Sequence, residues 1–273
     1  MKVVLFCGGY GMRMRDGTSD NPKPMVPLGP RPLLWHVMRY YAHFGHKEFI
    51  LCLGYGGQYI KEFFLDYHEA VSNDFVLNNG RVELLASDIA DWSITFVDTG
   101  LDSAIGERLR RVRHLVQDEQ MFLANYADVL TDAPIDKMVE QLDASDAVAT
   151  LLAVPPQAAF HVVDVTDDNR IEAITALNRM PIQENGGYLA LRPEIFDYLP
   201  VNGDLIGDAC ATLAKEGRML AYPYSGFWHP ADTVKERVAL EALYQSGRTP
   251  WMPWRRQATS NEVHPAASVP ALP

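Results

Sequence analysis

The feature that most constrains the fold recurs three times in the first 120 residues: a short apolar run, a glycine-bearing turn, then apolar residues at helical spacing. Lys2 to Phe6 runs into Gly8, Gly9 and Gly11. After a proline-stiffened segment, Leu33, Leu34, Val37, Met38, Tyr41 and Phe44 recur every three or four positions, with Gly45 as the stop. Phe49 to Leu53 is followed by Gly54 and Gly56, then by a face of Tyr59, Ile60, Phe63, Phe64 and Tyr67. Ile94 to Val97 leads through Asp98, Thr99 and Gly100 to a helix carrying Ile105, Leu109, Val112 and Val116 on one line. Apolar runs without polar alternation mark strands buried on both faces, so the pattern predicts an α/β chain with a mostly parallel sheet.

A fourth run, Met121 to Ala124, continues into Asn125, Tyr126, Ala127 and Asp128. It places Asp128 at the C-terminal edge of the sheet, where open parallel sheets bind their ligands. Residues 72–92 are polar and weakly periodic and read as a long excursion with a strand at Val82 to Leu85. Beyond about Ala147, short alternating runs at Val162 to Val165, Ile171 to Ile174 and Tyr188 to Leu191 predict an antiparallel or mixed extension over the sheet's edge. Helices are expected at about 206–215 and 233–245. From Thr249 the chain is proline-rich and aperiodic, so a catalytic domain is expected over 1–248 and a surface-bound or partly disordered tail over 249–273.

Bulk composition narrows the partners. The 273 residues are 48% hydrophobic, enough for a large core, and 24 basic against 35 acidic residues give a formal charge of −11. That balance opposes nucleic acid or an anionic membrane as a bulk partner, so any anionic ligand has to be captured by local groups. No apolar run approaches the roughly 20 residues of a membrane span, and MKVVLF is too short for the apolar core of a signal peptide, so the cytoplasm is the expected compartment. Cys7, Cys52 and Cys210 are odd in number and dispersed. They read as reduced thiols packed as small hydrophobes rather than as a disulfide framework or a zinc site.

Against this acidic background, FCGGYGMRM from Phe6 and NPKPMVP from Asn21 gather three glycines with Arg13, Arg15 and Lys23. A dinucleotide fingerprint needs glycine where Met14 stands, and a Walker A loop needs its lysine directly before the helix, whereas Lys23 lies a dozen residues past Gly11. Two readings are left: a cradle of backbone N–H groups with basic side chains, suited to a polyphosphate, or a plain turn with solvated charges. The proline segment reads as a rigid loop or as a PxxP ligand for a partner domain, and its place between strand and helix favours the loop.

GGYGMRM followed by NPKPMVPLGPRPLLWHVMRYY resembles the signature of the sugar-1-phosphate nucleotidyltransferases, GGxGTRL followed by KPKPM. GYGGQYIKEFF, VDTG, GERLRRV, NGGYLALRPEIFDYL and GFWHPADT extend the likeness, in order, over roughly residues 1 to 254, towards the glucose-1-phosphate cytidylyltransferases. The resemblance implies a doubly wound, mostly parallel, Rossmann-like sheet of the GT-A type with a mixed or antiparallel sugar-binding extension. It implies transfer of a nucleotidyl group, CMP from CTP first, from a nucleoside triphosphate to a sugar 1-phosphate, with release of pyrophosphate. By the match, Phe6, Cys7, Gly8, Gly9, Gly11, Met12, Arg13, Lys23, Ile105, Arg108 and Ala127 would line the nucleotide. Arg13 would grip the triphosphate and Lys23 would contact phosphate at the reacting centre. Asp128 and Asp232 would hold Mg²⁺, and Asn185 and Gly186 would meet the sugar, with a simple turn as the plainer reading of Asn185. Relatives of this kind assemble into oligomers, and Trp251 and Trp254 are candidates for a subunit contact.

The implied chemistry is coherent. A sugar phosphate oxygen is already ionised at neutral pH, so the reaction needs alignment and charge neutralisation rather than a general base. A hard ion taking one or two carboxylates plus phosphate oxygens suits two remote aspartates. The chain departs from the family pattern in several places. Met12 stands for threonine or serine, Asn21 for lysine, Ile105 for threonine and Val129 for glycine. The family's Glu-Lys-Pro falls here on Thr175, Ala176 and Leu177, leaving Arg179 as the candidate replacement on the sugar phosphate. That gap keeps open an unusual sugar or cyclitol phosphate, another base (dTTP, UTP or GTP), or a nucleotide-binding relative without turnover. VDTG also mimics the Asp-Thr-Gly of aspartic proteases, but no second copy exists to share a proton.

Overall fold

A computed structural model describes residues 1–9, 22–157 and 160–255. Seven strands form the main sheet: β1 (Lys2–Phe6), β2 (Glu48–Leu53), β3 (Ser93–Asp98), β4 (Phe122–Asn125), β5 (Ala149–Val154), β6 (Glu184–Leu191) and β7 (Met219–Pro223). Their order across the sheet is β7-β5-β6-β4-β1-β2-β3. β1 runs parallel to both β2 and β4, β2 to β3, and β5 to β7, whereas β6 is antiparallel to both its neighbours. The expected α/β fold is therefore present, with β6 supplying its mixed character.

Alternate residues of β1 serve opposite faces: Val3 and Leu5 join one buried cluster, Val4 and Phe6 the other. Helices α1 (Leu33–His43), α2 (Gly57–Leu65), α4 (Ile135–Asp143) and α5 (Val234–Gln245) contribute to the first cluster. Helix α3 (Ile105–Arg111) and the helical segment 205–215 cover the other face. Two covered faces explain why the strands read as continuous apolar runs.

Several expectations change in detail. Tyr188 to Leu191 is not an edge extension but part of β6, hydrogen-bonded between β4 and β5. The alternating runs near 162 and 171 pair only with each other, as the hairpin His161–Val165 with Ile171–Ala176. The helix predicted to run to Val116 breaks at Val112 (φ −101°, ψ 7°) and resumes as Arg113–Val116. The expected helix at 206–215 opens with a π-helical stretch, Leu205–Cys210, before Ala211–Lys215. Within 72–92, Phe75–Asn78 pairs with Arg81–Leu84 around Asn79 and Gly80, both with positive φ, as a two-residue hairpin turn requires.

The boundary drawn at Thr249 also moves. Trp251 is fully buried and Met252 nearly so, both within the first cluster. Trp254, half-buried, packs edge-on against Trp35 at 6.0 Å. Large indoles and Met252 outweigh the local proline content, because burying them returns more free energy than an exposed turn would. All three cysteines are buried and unpaired, as expected of packed thiols. Among the described residues no helix is long and apolar enough to cross a membrane.

Candidate active site

The order of strands reverses beside β1, whose sequence successor β2 lies on one side and β4 on the other. A crevice opens at such a switch point, beyond the C-terminal ends of the strands. Here it is a cavity of about 780 Å³ lined by Phe6, Cys7, Gly8 and Gly9 from the end of β1 and by Tyr126 and Asp128 from the end of β4. Lys23, Asp232, the segment from Leu101 to Ile105, Arg108 and Asp204 complete most of its wall.

Three charged side chains from remote parts of the chain meet at its floor. Lys23 sits in a tight turn, Lys23–Met25, flanked by Pro22 and Pro24, with Met25 N–H donating to Pro22 O at 2.8 Å. Asp128 follows Ala127, which holds a left-handed φ of 61° while its N–H donates to Asn125 Oδ1 at 2.6 Å. Asp232 sits just before the N-cap of α5. There Glu236 accepts from the N–H groups of Asp232 (2.8 Å) and Thr233 (2.9 Å), and Thr233 Oγ1 accepts from Glu236 N–H at 3.2 Å. A short antiparallel ladder, Val129–Thr131 with Trp228–Pro230, draws the two aspartates together, with Val129 opposite Pro230.

The result is one cation between two carboxylates. Lys23 Nζ donates to Asp128 Oδ2 at 2.6 Å and also to Asp232 Oδ1. Burial works against the ammonium, but Asp128 and then Asp232 outweigh it and hold Lys23 above its ordinary pKa. Burial pushes the Asp128 carboxyl up, opposed by Lys23 and reinforced by Asp232. Two hard oxygens thus converge on a single cationic centre, in the cavity that Gly8 and Gly9 also line. Burial pushes the Cys7 thiol well above its ordinary range, which favours the uncharged thiol.

Arg108 is only 4% exposed and is spent on the framework. Nη1 donates to Leu53 O (3.1 Å), Thr99 Oγ1 (2.9 Å) and Gly100 O (2.8 Å), and Nη2 to Gly8 O and Leu101 O, both at 3.1 Å. It ties the end of β1 to the ends of β2 and β3. A Cβ on Gly8 would lie 2.1 Å from Arg108 Nη1, and one on Gly54 would lie 2.7 Å from Gly8 O. These glycines admit the guanidinium and the loop that it braces. The VDTG stretch finds its role here too: Thr99 is fully buried, and Gly100, at φ 84°, offers its carbonyl to Arg108.

Of the residues singled out from the sequence, the cavity gathers Phe6, Cys7, Gly8, Gly9, Lys23, Ile105, Arg108, Asp128 and Asp232. Gly11, Met12 and Arg13 lie outside the described residues. Ala127, Arg179, Asn185 and Gly186 do not line the cavity. Ala127 acts through its backbone turn, and Arg179 is exposed on the turn Leu177–Arg179. Asn185 stands one hydrogen bond behind the wall, donating from Nδ2 to Tyr126 Oη at 3.1 Å. Gly186 O accepts from Trp228 Nε1 at 2.8 Å, anchoring the ladder that carries Asp232. Sequence reasoning missed Tyr126, Asp204 and the Leu101 to Ala104 wall. Tyr126 was legible from its place beside Asp128, but Asp204 carries no local signal.

A mostly parallel sheet with its cavity at the switch point, lined by Gly8 and Gly9 and by paired aspartates, fits a nucleotide-binding α/β enzyme fold, and the comparisons agree. The chain belongs to the nucleotidyl transferase family, whose profile matches residues 2–229. It is 35% identical over 260 residues to the glucose-1-phosphate cytidylyltransferase of Salmonella typhimurium, covering 93% of this chain and all of that protein. It is 23% identical to the mannose-1-phosphate guanyltransferase of Saccharomyces cerevisiae, covering 96% of this chain and 70% of that one. Among solved structures, a UDP-glucose pyrophosphorylase complexed with UDP-glucose superposes with a TM-score of 0.67 at 19% identity, over 90% of this chain and 99% of the other, a likeness of fold. The chain is a sugar-1-phosphate nucleotidyltransferase.

Proposed function

We propose that the chain transfers CMP from CTP to glucose 1-phosphate, with Mg²⁺, giving a nucleotide sugar and pyrophosphate. The observation that carries this reading is the convergence of Asp128 and Asp232 on one cationic point at the floor of the cavity. Cytosine and glucose are chosen because the cytidylyltransferase relative is matched over its whole length, whereas the guanyltransferase is matched more weakly and in part.

The residues fit Mg²⁺. The Asp128 and Asp232 oxygens converge on the point that the Lys23 ammonium fills, so an ion would take these oxygens in exchange for it. That donor set suits a hard ion that keeps waters and takes phosphate oxygens as further ligands. Two carboxylates against one ammonium leave the floor net negative, so bringing a polyphosphate there calls for added positive charge. When bound, the ion would supply neutralisation of charge on the phosphate oxygens.

The chain's own groups then align and stabilise. The sugar phosphate oxygen forms a bond to the α-phosphorus while the bond from that phosphorus to the bridging α–β oxygen breaks, and the electron pair leaves with pyrophosphate. No proton has to be removed from the nucleophile. Lys23, held charged, offers hydrogen bonds to oxygens on which charge builds in the transition state. The backbone N–H groups around Gly8 and Gly9, braced by Arg108, present a preset surface for the triphosphate.

The test is a thermal-shift screen of CTP, dTTP, UTP and GTP with Mg²⁺, followed by pyrophosphate release with glucose 1-phosphate. CTP is expected to raise the melting temperature selectively, because a ligand that binds only the folded state stabilises by mass action. Asp128→Asn and Asp232→Asn are each expected to lower turnover by about two orders of magnitude or more while the chain stays folded. Selective stabilisation by another triphosphate overturns the base assignment, and full activity of either aspartate variant overturns the site.

A further inference from the structure

Asp204 is a carboxylate in the nucleotide cavity that neither the fold nor the cation seat fully uses. It stands at the start of the helical segment Leu205–Cys210, and its position is fixed. Oδ1 accepts from the N–H groups of Ile206 at 2.9 Å and Gly207 at 2.7 Å, and the Asp204 N–H donates to Asp208 Oδ2 at 2.7 Å. Oδ2 has no hydrogen-bond or ion-pair partner among the described residues.

Its surroundings specify what that oxygen can meet. The preceding residue packs against the first turn of α3, since Gly203 O lies 2.4 Å from where a Cβ on Gly106 would sit. Asp204 therefore belongs to the wall that also carries Ile105, Ala104, Leu101 and Tyr126, rather than to the floor with Lys23, Asp128 and Asp232. An ionised carboxylate only accepts hydrogen bonds and repels phosphate. Asp102 stands on the same wall but has a partner of its own. The part of a nucleoside triphosphate that can lie against this largely apolar wall with an accepting carboxylate is the nucleoside, and its hydroxyl donors are on the ribose.

We propose that Asp204 reads the ribose hydroxyls of the bound nucleoside triphosphate and so makes the site selective for ribonucleotides. The proposal rests on the nucleotidyl-transfer reading above. It makes Asp204 a specificity residue, with one oxygen holding the helix start and the other holding the sugar of the nucleotide.

The experiment compares binding of CTP and 2′,3′-dideoxy-CTP, each with Mg²⁺, to the full chain by titration calorimetry. Asp204→Ser is the main variant, because serine also caps a helix start but is too short to offer a second acceptor. Asp204→Asn keeps cap and size with a weaker, uncharged group. The wild type is expected to prefer CTP by about ten-fold, the value of one hydrogen bond to a charged acceptor. Asp204→Ser is expected to bind the two alike through loss of CTP affinity alone, with Asp204→Asn in between. The proposal is overturned if the wild type binds both equally, if Asp204→Ser keeps the preference, or if it weakens both nucleotides together, as a purely capping role would. A rise confined to the KM for glucose 1-phosphate also overturns it, assigning the oxygen to the acceptor's hydroxyls. Failure of the wild type to bind either nucleotide overturns the cytidylyl-transfer reading itself.

Discussion

A methyl group on Gly8 would collide with the guanidinium of Arg108, and this one contact shows how much of the site is built from absences of side chain. Gly8→Ala is expected to cost about 1–3 kcal/mol, the usual range for overpacking a filled interior. In an Arg108→Ala background the same change should cost far less, a coupling of about 1 kcal/mol or more readable from urea unfolding of the double-mutant cycle. Additive losses would show that the two residues act apart. A second residue-scale expectation concerns His36, whose Nε2 meets Leu28 O at 3.0 Å while Trp251 Nε1 donates to Nδ1 at 3.4 Å, an arrangement that suits a neutral ring. Burial lowers its pKa to about 4 from an ordinary 6.5. Between those values the unfolded chain binds more protons, so this contribution to stability is whole above pH 6.5 and is lost as pH falls towards 4. It amounts to about 3 kcal/mol at the acid end. Unfolding free energies measured across this window should slope less in His36→Gln than in the wild type.

At the scale of elements, the start of α5 positions Asp232. Thr233 and Glu236 form a capping box in which one carboxylate holds two successive N–H groups. Glu236→Ala is expected to cost about 1 kcal/mol of stability. It should also lower kcat, because the turn bearing Asp232 loses its clamp, whereas Glu236→Gln should recover much of both. A stability loss without any change in kcat would show that the ladder with Val129–Thr131 suffices to place Asp232. The elements themselves were legible to different degrees. β1 to β4 and helices α1, α2 and α5 follow apolar period and glycine punctuation, since local spacing decides which face can be buried. β5 was missed because a short apolar run looks the same in a buried strand and in a buried helix, and β7 because an edge strand with no fully buried residue carries a weaker pattern. The hairpin around Asn79 and Gly80 was read only as a polar excursion with one strand, although an Asn-Gly pair with positive φ at both positions is a turn signal.

For the whole molecule, the C-terminal segment closes the first core cluster. Trp251 reaches back across the chain to His36 and packs 5.5 Å from Phe227, whose backbone accepts from Thr131 and Asp132 in the ladder beneath the aspartates. Trp251→Ala is expected to cost about 3–5 kcal/mol, as for other large buried aromatics. Denaturant midpoints would show it, and a change under about 1 kcal/mol would mean that the segment merely rests on the surface.

Apolar periodicity in the sequence alone determined the class of fold and put Asp128 at the sheet's C-terminal edge, because spacing is a local property; the roles of Lys23 and Asp232 were assigned by resemblance to a known family. Tertiary structure decided what no local window contains. It brought two aspartates 104 positions apart onto one ammonium, turned Arg108 inward as a brace for Gly8, set Asp204 on the cavity wall and drew Trp251 into the core. The physical reason is that each of these depends on strand order and on packing between remote segments, and a carboxylate or an indole has the same intrinsic preferences wherever the chain finally carries it.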